Sequence, residues 1–224
     1  MSVFRLAESF VSINGEGRYA GKLALFLRFT GCNLRCDWCD TMWANSNDAP
    51  HTLCDTDKLA EIAEQAIADY DLSHVTLTGG EPLLQKDLFE LCDVLSGLGL
   101  AVEIETNGSV PIKPLIDSCC RRPSFTMDYK LPSSGMESKM HPDNLPLLDK
   151  QDTLKFVCAS EEDLECAAQI IEKYKPSCEV FFSPVFGRIE PVSIVEFMKK
   201  KKLGSARIQL QLHKFIWSPD EKGV

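Results

Sequence analysis

Three cysteines stand close together in the stretch Gly31-Cys32-Asn33-Leu34-Arg35-Cys36-Asp37-Trp38-Cys39-Asp40-Thr41. Thiolates are soft ligands, and several at short spacing suit zinc or an iron–sulfur cluster. Ten cysteines in 224 residues would give the pattern C-x3-C-x2-C by chance only about 0.02 times. The spacing therefore points to a shared metal centre. Three local sulfurs are one short of a closed tetrahedral zinc site. On a four-iron cluster they would leave one iron open to an exogenous ligand. The alternative is a structural zinc site with a distant fourth ligand, for which Cys54 and His51 are candidates.

The elements around this loop must hold it. Lys22 to Phe29 reads as a strand that feeds the first cysteine, with Leu25, Leu27 and Phe29 on one face and Phe26 and Arg28 on the other. Before it, Ala7 to Ile13 is an apolar run that breaks at the turn Asn14-Gly15-Glu16-Gly17. After it, helical and strand patterns alternate. Helices are expected over 55–70, 85–98, 112–119, 161–174 and 192–202, and strands over 75–78, 101–104, 125–129, 153–158, 179–182 and 206–212. Such alternation predicts right-handed βαβ units and a parallel sheet. Six to seven units are too few for a closed eight-stranded barrel, so the expected fold is α/β, a partial, open parallel β/α barrel forming one domain over residues 1–224. Pro132 to Pro146 stands out as a long Pro-, Ser- and Gly-containing loop, read as a functional or mobile segment.

Composition narrows the class. Hydrophobic residues at 44% and charged residues at 25% are ordinary for a globular protein. A net charge of −9 argues against a nucleic-acid surface, which needs a clustered positive field. The basic run Lys199 to Lys202 reads as a solvated helix end. No apolar run approaches the length of a membrane span, and Met1 to Arg5 lacks the apolar stretch of a signal peptide. Cysteine-rich chains without such a signal belong in a reducing cytoplasm. Cys92, Cys158 and Cys166 fall in apolar patterns and are expected in the core, while the pair Cys119-Cys120 has no evident role.

Ligands of parallel sheets bind where the strands end at their carboxyl edge. The chemically distinctive residues fall at those edges: the cysteine loop, Thr78-Gly79-Gly80-Glu81, Glu105 to Gly108, Asp128-Tyr129-Lys130, Ser183-Pro184 and Gln211 to Lys214. The C-x3-C-x2-C loop followed one βα unit later by Gly79-Gly80-Glu81 resembles the radical S-adenosylmethionine (SAM) superfamily. Asn14 to Gly17, Cys39-Asp40-Thr41, Thr78 to Pro82, Glu105 to Gly108 and His213-Lys214 together resemble its 7-carboxy-7-deazaguanine synthase family over nearly the whole chain. The resemblance implies a [4Fe-4S] cluster, SAM and Mg2+ as cofactors. It also implies conversion of 6-carboxy-5,6,7,8-tetrahydropterin to 7-carboxy-7-deazaguanine with loss of ammonia, in queuosine and deazapurine biosynthesis. A homodimer and an electron donor such as flavodoxin or ferredoxin are the implied partners. Another radical SAM enzyme, such as a glycyl-radical-enzyme activase, would share the cysteine loop and the glycine turn, and a zinc- or cluster-bearing binding module is the reading outside enzymes.

The same resemblance assigns residues. Cys32, Cys36 and Cys39 match the cluster ligands, and Thr41 matches a magnesium ligand, the other possibility being that it only caps a turn. Ile13, Asn14, Gly15, Glu16, Arg28 and Thr78 match substrate positions. Arg28 matches an arginine whose fork suits a carboxylate; an ordinary ion pair is its alternative. Gly80, Glu81, Asp128, Tyr129, Lys130, Ser183, Pro184, Val185 and Phe186 match segments that hold SAM. The chain departs from many relatives in carrying Ile13-Asn14 for Leu-Gln and Asp128-Tyr129-Lys130 for Ser-Pro-Lys. Pro219 also matches a substrate position: some relatives end at this proline, and its terminal carboxylate can reach the active site, whereas here Asp220 to Val224 follow.

Overall fold

The computed structural model describes residues 2–218 together with Glu221 and Gly223. Strands β1 (Val3–Ile13) and β2 (Leu23–Phe29) form a hairpin, and β3 (Thr52–Asp55) follows the cysteine loop. Then come α1 (Thr56–Tyr70), β4 (His74–Gly79), α2 (Leu88–Gly97), β5 (Ala101–Thr106), α3 (Lys113–Ser118), β6 (Ser124–Asp128), β7 (Thr153–Cys158), α4 (Glu161–Tyr174), β8 (Glu179–Pro184), α5 (Pro191–Lys201), β9 (Arg207–Ile208) and α6 (His213–Ile216).

The strands lie in the order β3-β1-β2-β4-β5-β6-β7-β8-β9, an open sheet with β3 and β9 at its edges. From β2 to β9 every neighbouring pair is parallel, as expected for a partial β/α barrel. The antiparallel extension by β1 and β3 was not anticipated. For the β1–β2 pair the reason is connection length, since parallel strands need a crossover of a dozen or more residues. Between Ile13 and Leu23 there is only a short loop, closed by Asn14 N–H to Lys22 O at 2.9 Å and Gly21 N–H to Asn14 O at 2.8 Å.

Strand alternation divides the sheet into an apolar and a polar face. Leu25, Leu27, Val75, Leu77, Ile104, Phe125, Leu154, Phe156 and Phe182 are all essentially buried on the face covered by the helices. Full burial of such side chains is worth about 1.5–3 kcal/mol each. The concave face instead carries Arg28, Thr76, Thr78, Glu103, Glu105, Thr126, Asp128 and Lys155, in a register that sets Arg28 beside Thr78, Glu105 beside Thr126 and Asp128 beside Lys155. At its base Glu103, 2% exposed, accepts from Thr126 Oγ1 at 2.6 Å and lies 3.1 Å from His74 Nε2.

Several expectations need adjustment. The segment Pro132 to Pro146 is built from three short 3-10 turns and anchored by Asn144, which donates to Gly108 O and Val110 O and accepts from Ile112 N–H. Cys92 and Cys158 are core residues, but Cys166 is only half-buried and its thiol donates to Glu137 Oε1 at 3.2 Å. The run expected as a strand over 206–212 is a two-residue strand that then turns into α6.

Strand β7, which carries Lys155, is anchored at its start by Asp152. This wholly buried carboxylate accepts from both terminal nitrogens of Arg122, at 3.0 and 2.6 Å, and from the N–H groups of Phe125 and Asp149, each at 2.8 Å. Asp152→Ala leaves a half-buried guanidinium and two amides without their partner, and should lower stability by about 3 kcal/mol. Urea unfolding at constant slope is the measurement, and a loss under about 1 kcal/mol would show that apolar packing alone holds this junction.

Candidate active site

At the carboxyl edge of the parallel strands lies a cavity of about 700 Å³. Cys32, Cys36 and Cys39 all line it, whereas Cys54 is buried in β3 and His51 bonds its own chain at Ala49 O. The two candidates for a fourth zinc ligand are thus elsewhere. Among the described residues no three His, Cys, Asp or Glu side chains close around a single-ion position. Burial pushes the Cys32 and Cys36 thiols up, and the neighbouring thiols add to that. Metal coordination reverses this, because a bound cation deprotonates its thiols outright. Polar donors already face the sulfurs: Leu34 N–H at 3.4 Å and Asn107 Nδ2 at 3.7 Å from Cys32 Sγ, and Asn45 Nδ2 at 3.4 Å from Cys39 Sγ. Such donors stabilise the charge on cluster sulfurs. Three cavity-facing sulfurs with this supporting shell fit an iron–sulfur cluster.

The glycine turn after β4 is pressed against the root of the cysteine loop. Gly80 N–H donates to Phe29 O at 3.1 Å and Glu81 N–H to Gly31 O at 2.8 Å. A Cβ at Gly80 would collide with Gly31 O and crowd the Cys32 side chain, so this close approach requires glycine. Gly80 lines the cavity, but the Glu81 carboxylate does not. It is wholly buried and accepts from Leu83 N–H at 3.0 Å, Thr106 Oγ1 at 3.0 Å and Asn107 N–H at 2.7 Å. Glu81 thus ties the β5 turn, with Asn107, to the cysteine loop.

The remaining expected site residues divide in the same way. Ile13, Gly15, Glu16, Arg28 and Thr78 line the cavity, as do Thr41, Asp128, Lys130, Val185 and Phe186. Asn14 does not; its Oδ1 accepts from Thr76 Oγ1 at 3.0 Å inside the sheet. Tyr129 packs on Phe156, Ser183 is wholly buried, and Pro184, half-buried at the end of β8, is not among the cavity-lining residues. Pro219 lies outside the described residues. Arg28 forms the ion pair that was its alternative, Nε to Glu8 Oε1 at 2.7 Å, while the side chain borders the cavity. At Thr41 no side-chain cap bond forms, and the hydroxyl sits 3.7 Å from Cys39 Sγ.

Glu16 is held by three partners from the far end of the chain: Lys155 Nζ at 3.1 Å, Gln211 Nε2 at 3.1 Å and Ser183 Oγ at 3.1 Å. Burial pushes its carboxyl up, but the Lys155 charge and the hydrogen bonds from Gln211 and Lys155 outweigh that and keep it low. Lys155 also lies 3.6 Å from Asp128 Oδ2, which pairs with Lys130 at 2.9 Å. Burial opposes charge on Lys155, and its carboxylate neighbours more than restore it. Sequence reasoning passed over Lys155, Asn45 and the role of Asn107. Lys155 did leave a signal, being a lone cation between Leu154 and Phe156 in an apolar strand; Asn45 left none.

Burial raises Glu81 to about 7, against the lowering effect of its hydrogen bonds. The folded chain then holds that proton more tightly than the unfolded chain. The contribution of Glu81 to stability is full below its ordinary value of 4.5 and is lost as pH rises through about 7. Glu81→Gln should remove this slope. Urea midpoints of the metal-free chain, taken between pH 4.5 and 8, test it, and parallel profiles for the two proteins would contradict it.

Known proteins resemble this chain along its whole length. The sequence profile of the radical SAM superfamily matches residues 26–129, the span from the first parallel strand through the Asp128 edge. The 7-carboxy-7-deazaguanine synthase of Clostridium acetobutylicum is 49% identical over 224 residues, covering 99% of each chain. That of Methanospirillum hungatei is 37% identical, covering 97% of this chain and 87% of its own. The crystal structure of QueE from Escherichia coli superposes with a TM-score of 0.73 at 21% identity, covering 93% of this chain and 94% of that one, which supports the fold. Membership of the superfamily implies a [4Fe-4S] cluster and SAM, and the three sulfurs on the cavity wall suit the first. With its full-length relatives, its open parallel barrel and its cysteine loop, this chain belongs to the 7-carboxy-7-deazaguanine synthase family of radical SAM enzymes.

Proposed function

We propose that this protein is a radical SAM lyase that converts 6-carboxy-5,6,7,8-tetrahydropterin to 7-carboxy-7-deazaguanine with loss of ammonia, in queuosine and deazapurine biosynthesis. One observation carries the reading: the three thiols, Gly80 and a wall of paired charged side chains open onto one cavity. The full-length likeness to the synthases favours it over a glycyl-radical-enzyme activase. When bound, the cluster and SAM supply an electron and a hydrogen-abstracting radical to that cavity.

The chain's own residues bind and orient. Cys32, Cys36 and Cys39 hold the iron, and Gly80 lets the backbone approach SAM. Asp128, Lys130, Val185 and Phe186 form the SAM side, with Glu81, Tyr129, Ser183 and Pro184 fixing them from behind. Ile13, Gly15, Glu16, Arg28 and Thr78 form the pterin side, backed by Asn14. Because Glu8 engages Arg28 through Nε, the fork of the guanidinium is the part offered to the substrate carboxylate. Thr41 offers a hard oxygen at the cavity, suited to Mg2+.

We assign the whole chain to one radical SAM domain, since the sheet runs without interruption from β3 to β9. Exposed Val3 and Leu53 beside the open edge of β3 support a homodimer. The ten unpaired cysteines support a reducing cytoplasmic setting, with a flavodoxin- or ferredoxin-type electron donor. Among the described residues no helix is long and apolar enough to cross a membrane.

Anaerobically reconstituted protein, given SAM, reductant and the carboxytetrahydropterin, should form 7-carboxy-7-deazaguanine by mass spectrometry. Cys36→Ala should abolish both product and 5′-deoxyadenosine, while Cys92→Ala, a core change away from the cavity, keeps the cluster chromophore. SAM cleavage without pterin turnover would overturn the substrate assignment.

Magnesium should accelerate product formation, and Thr41→Val should blunt that response while preserving the β-branched shape. A variant with an unchanged magnesium titration would remove Thr41 from the metal site.

A further inference from the structure

The concave wall contains one side chain that touches both halves of the site. Lys155 leaves β7 toward the cavity, 11% exposed, and its Nζ lies 3.1 Å from Glu16 Oε2 and 3.6 Å from Asp128 Oδ2. Glu16 comes from the loop after β1 and borders the pterin side, whereas Asp128 ends β6 on the SAM side. The strand leaves Lys155 no other place, because Leu154 and Phe156 are wholly buried on the opposite face and a one-residue slip would exchange the faces.

The oxygens of Asp128 are used unequally. Lys130 and Lys155 both approach Oδ2, while the buried Oδ1 has no partner. Asp128 borders the cavity while its Oδ1 is closed off from solvent, so the two lysines on Oδ2 are what fix this carboxylate in the wall. Glu16 differs, as both of its oxygens are already engaged, Oε1 by Ser183 and Oε2 by Lys155 and Gln211.

We propose that Lys155 is a positioning residue that holds the pterin-side carboxylate of Glu16 and the SAM-side carboxylate of Asp128 in one frame. The inference rests on the functional reading above for the names of the two ligands. A cation shared in this way makes the geometry of each subsite depend on the other. It also keeps two carboxylates ionised side by side on one wall, where without it they would repel one another.

The test compares reconstituted wild type with Lys155→Met, Lys155→Arg, Glu16→Gln and the charge-balanced pair Glu16→Gln/Lys155→Met, measuring SAM Kd without pterin, pterin KM, and the thermal midpoint of each unloaded chain. Lys155→Met should raise SAM Kd and pterin KM each by about tenfold, the scale of one charge-assisted hydrogen bond, and Lys155→Arg should recover part of the SAM affinity. If Lys155→Met fails to fold, the balanced pair decides, since it buries no unpaired charge at Glu16. Its SAM Kd should stay about tenfold above that of Glu16→Gln alone. Equal SAM Kd values in folded Glu16→Gln and the balanced pair would reduce Lys155 to a stabilising ion pair and overturn the proposal. If wild type binds SAM but leaves the pterin unchanged, the functional reading fails, and the SAM comparison still decides the role of Lys155.

Discussion

A buried ammonium needs an anion beside it, and on this concave wall Lys155 has two. Much of the site follows from that constraint. To reach Lys155, the loop after β1 must enter the concave side, where Gly17 sits against Thr126 and Glu103 at a φ of +75° that favours glycine. Gln209 fastens that loop through both the N–H and the carbonyl of Gly17, at 2.7 and 3.0 Å. The first turn of the chain and its last strand are thereby joined across the cavity. Loss of the central cation would leave Glu16 an uncompensated charge in a poorly solvated place and Asp128 with Lys130 alone, a costlier state than an apolar wall.

The second constraint is steric, and it acts at the cysteine loop. The turn at Gly79 and Gly80 lies so close to Phe29 and Gly31 that a side chain at either glycine meets backbone. Glu81 then locks the same turn to the end of β5 through Thr106 and Asn107. The glycine turn therefore serves the cysteines twice, by admitting a close backbone and by bringing Asn107 up to Cys32. A loop of small and polar residues gains its rigidity from these neighbours, since its own backbone bonds are few.

Placing both features at the carboxyl edge of parallel strands is a property of the fold class. What is particular to this chain is the layering beneath. A lower polar layer of Glu103, His74, Thr76 and Asn14 is linked by hydrogen bonds among its own members and to Thr126. The upper layer, from Arg28 through Thr78 and Glu105 to Asp128, is paired along one side and open to the cavity on the other.

The sequence by itself determined most of the elements and the candidate ligands of the metal centre. The helix at 161–174 with its Ser160 cap and the strand at 153–158 lie where periodicity and capping put them, because such signals are local. The C-x3-C-x2-C spacing and the glycine turn were legible for the same reason, as each needs only neighbouring residues to be recognised. Tertiary structure alone decided which expected residues border the cavity and which stand behind it, sending Glu81, Asn14 and Ser183 inward as braces. It alone decided that β1 and β3 extend the sheet in antiparallel fashion. It also brought Glu16 to Lys155, Gln211 and Ser183, partners 139, 195 and 167 positions away. The reason is physical: local pattern sets which face of an element is polar, but only the packing of distant strands sets which charges meet there.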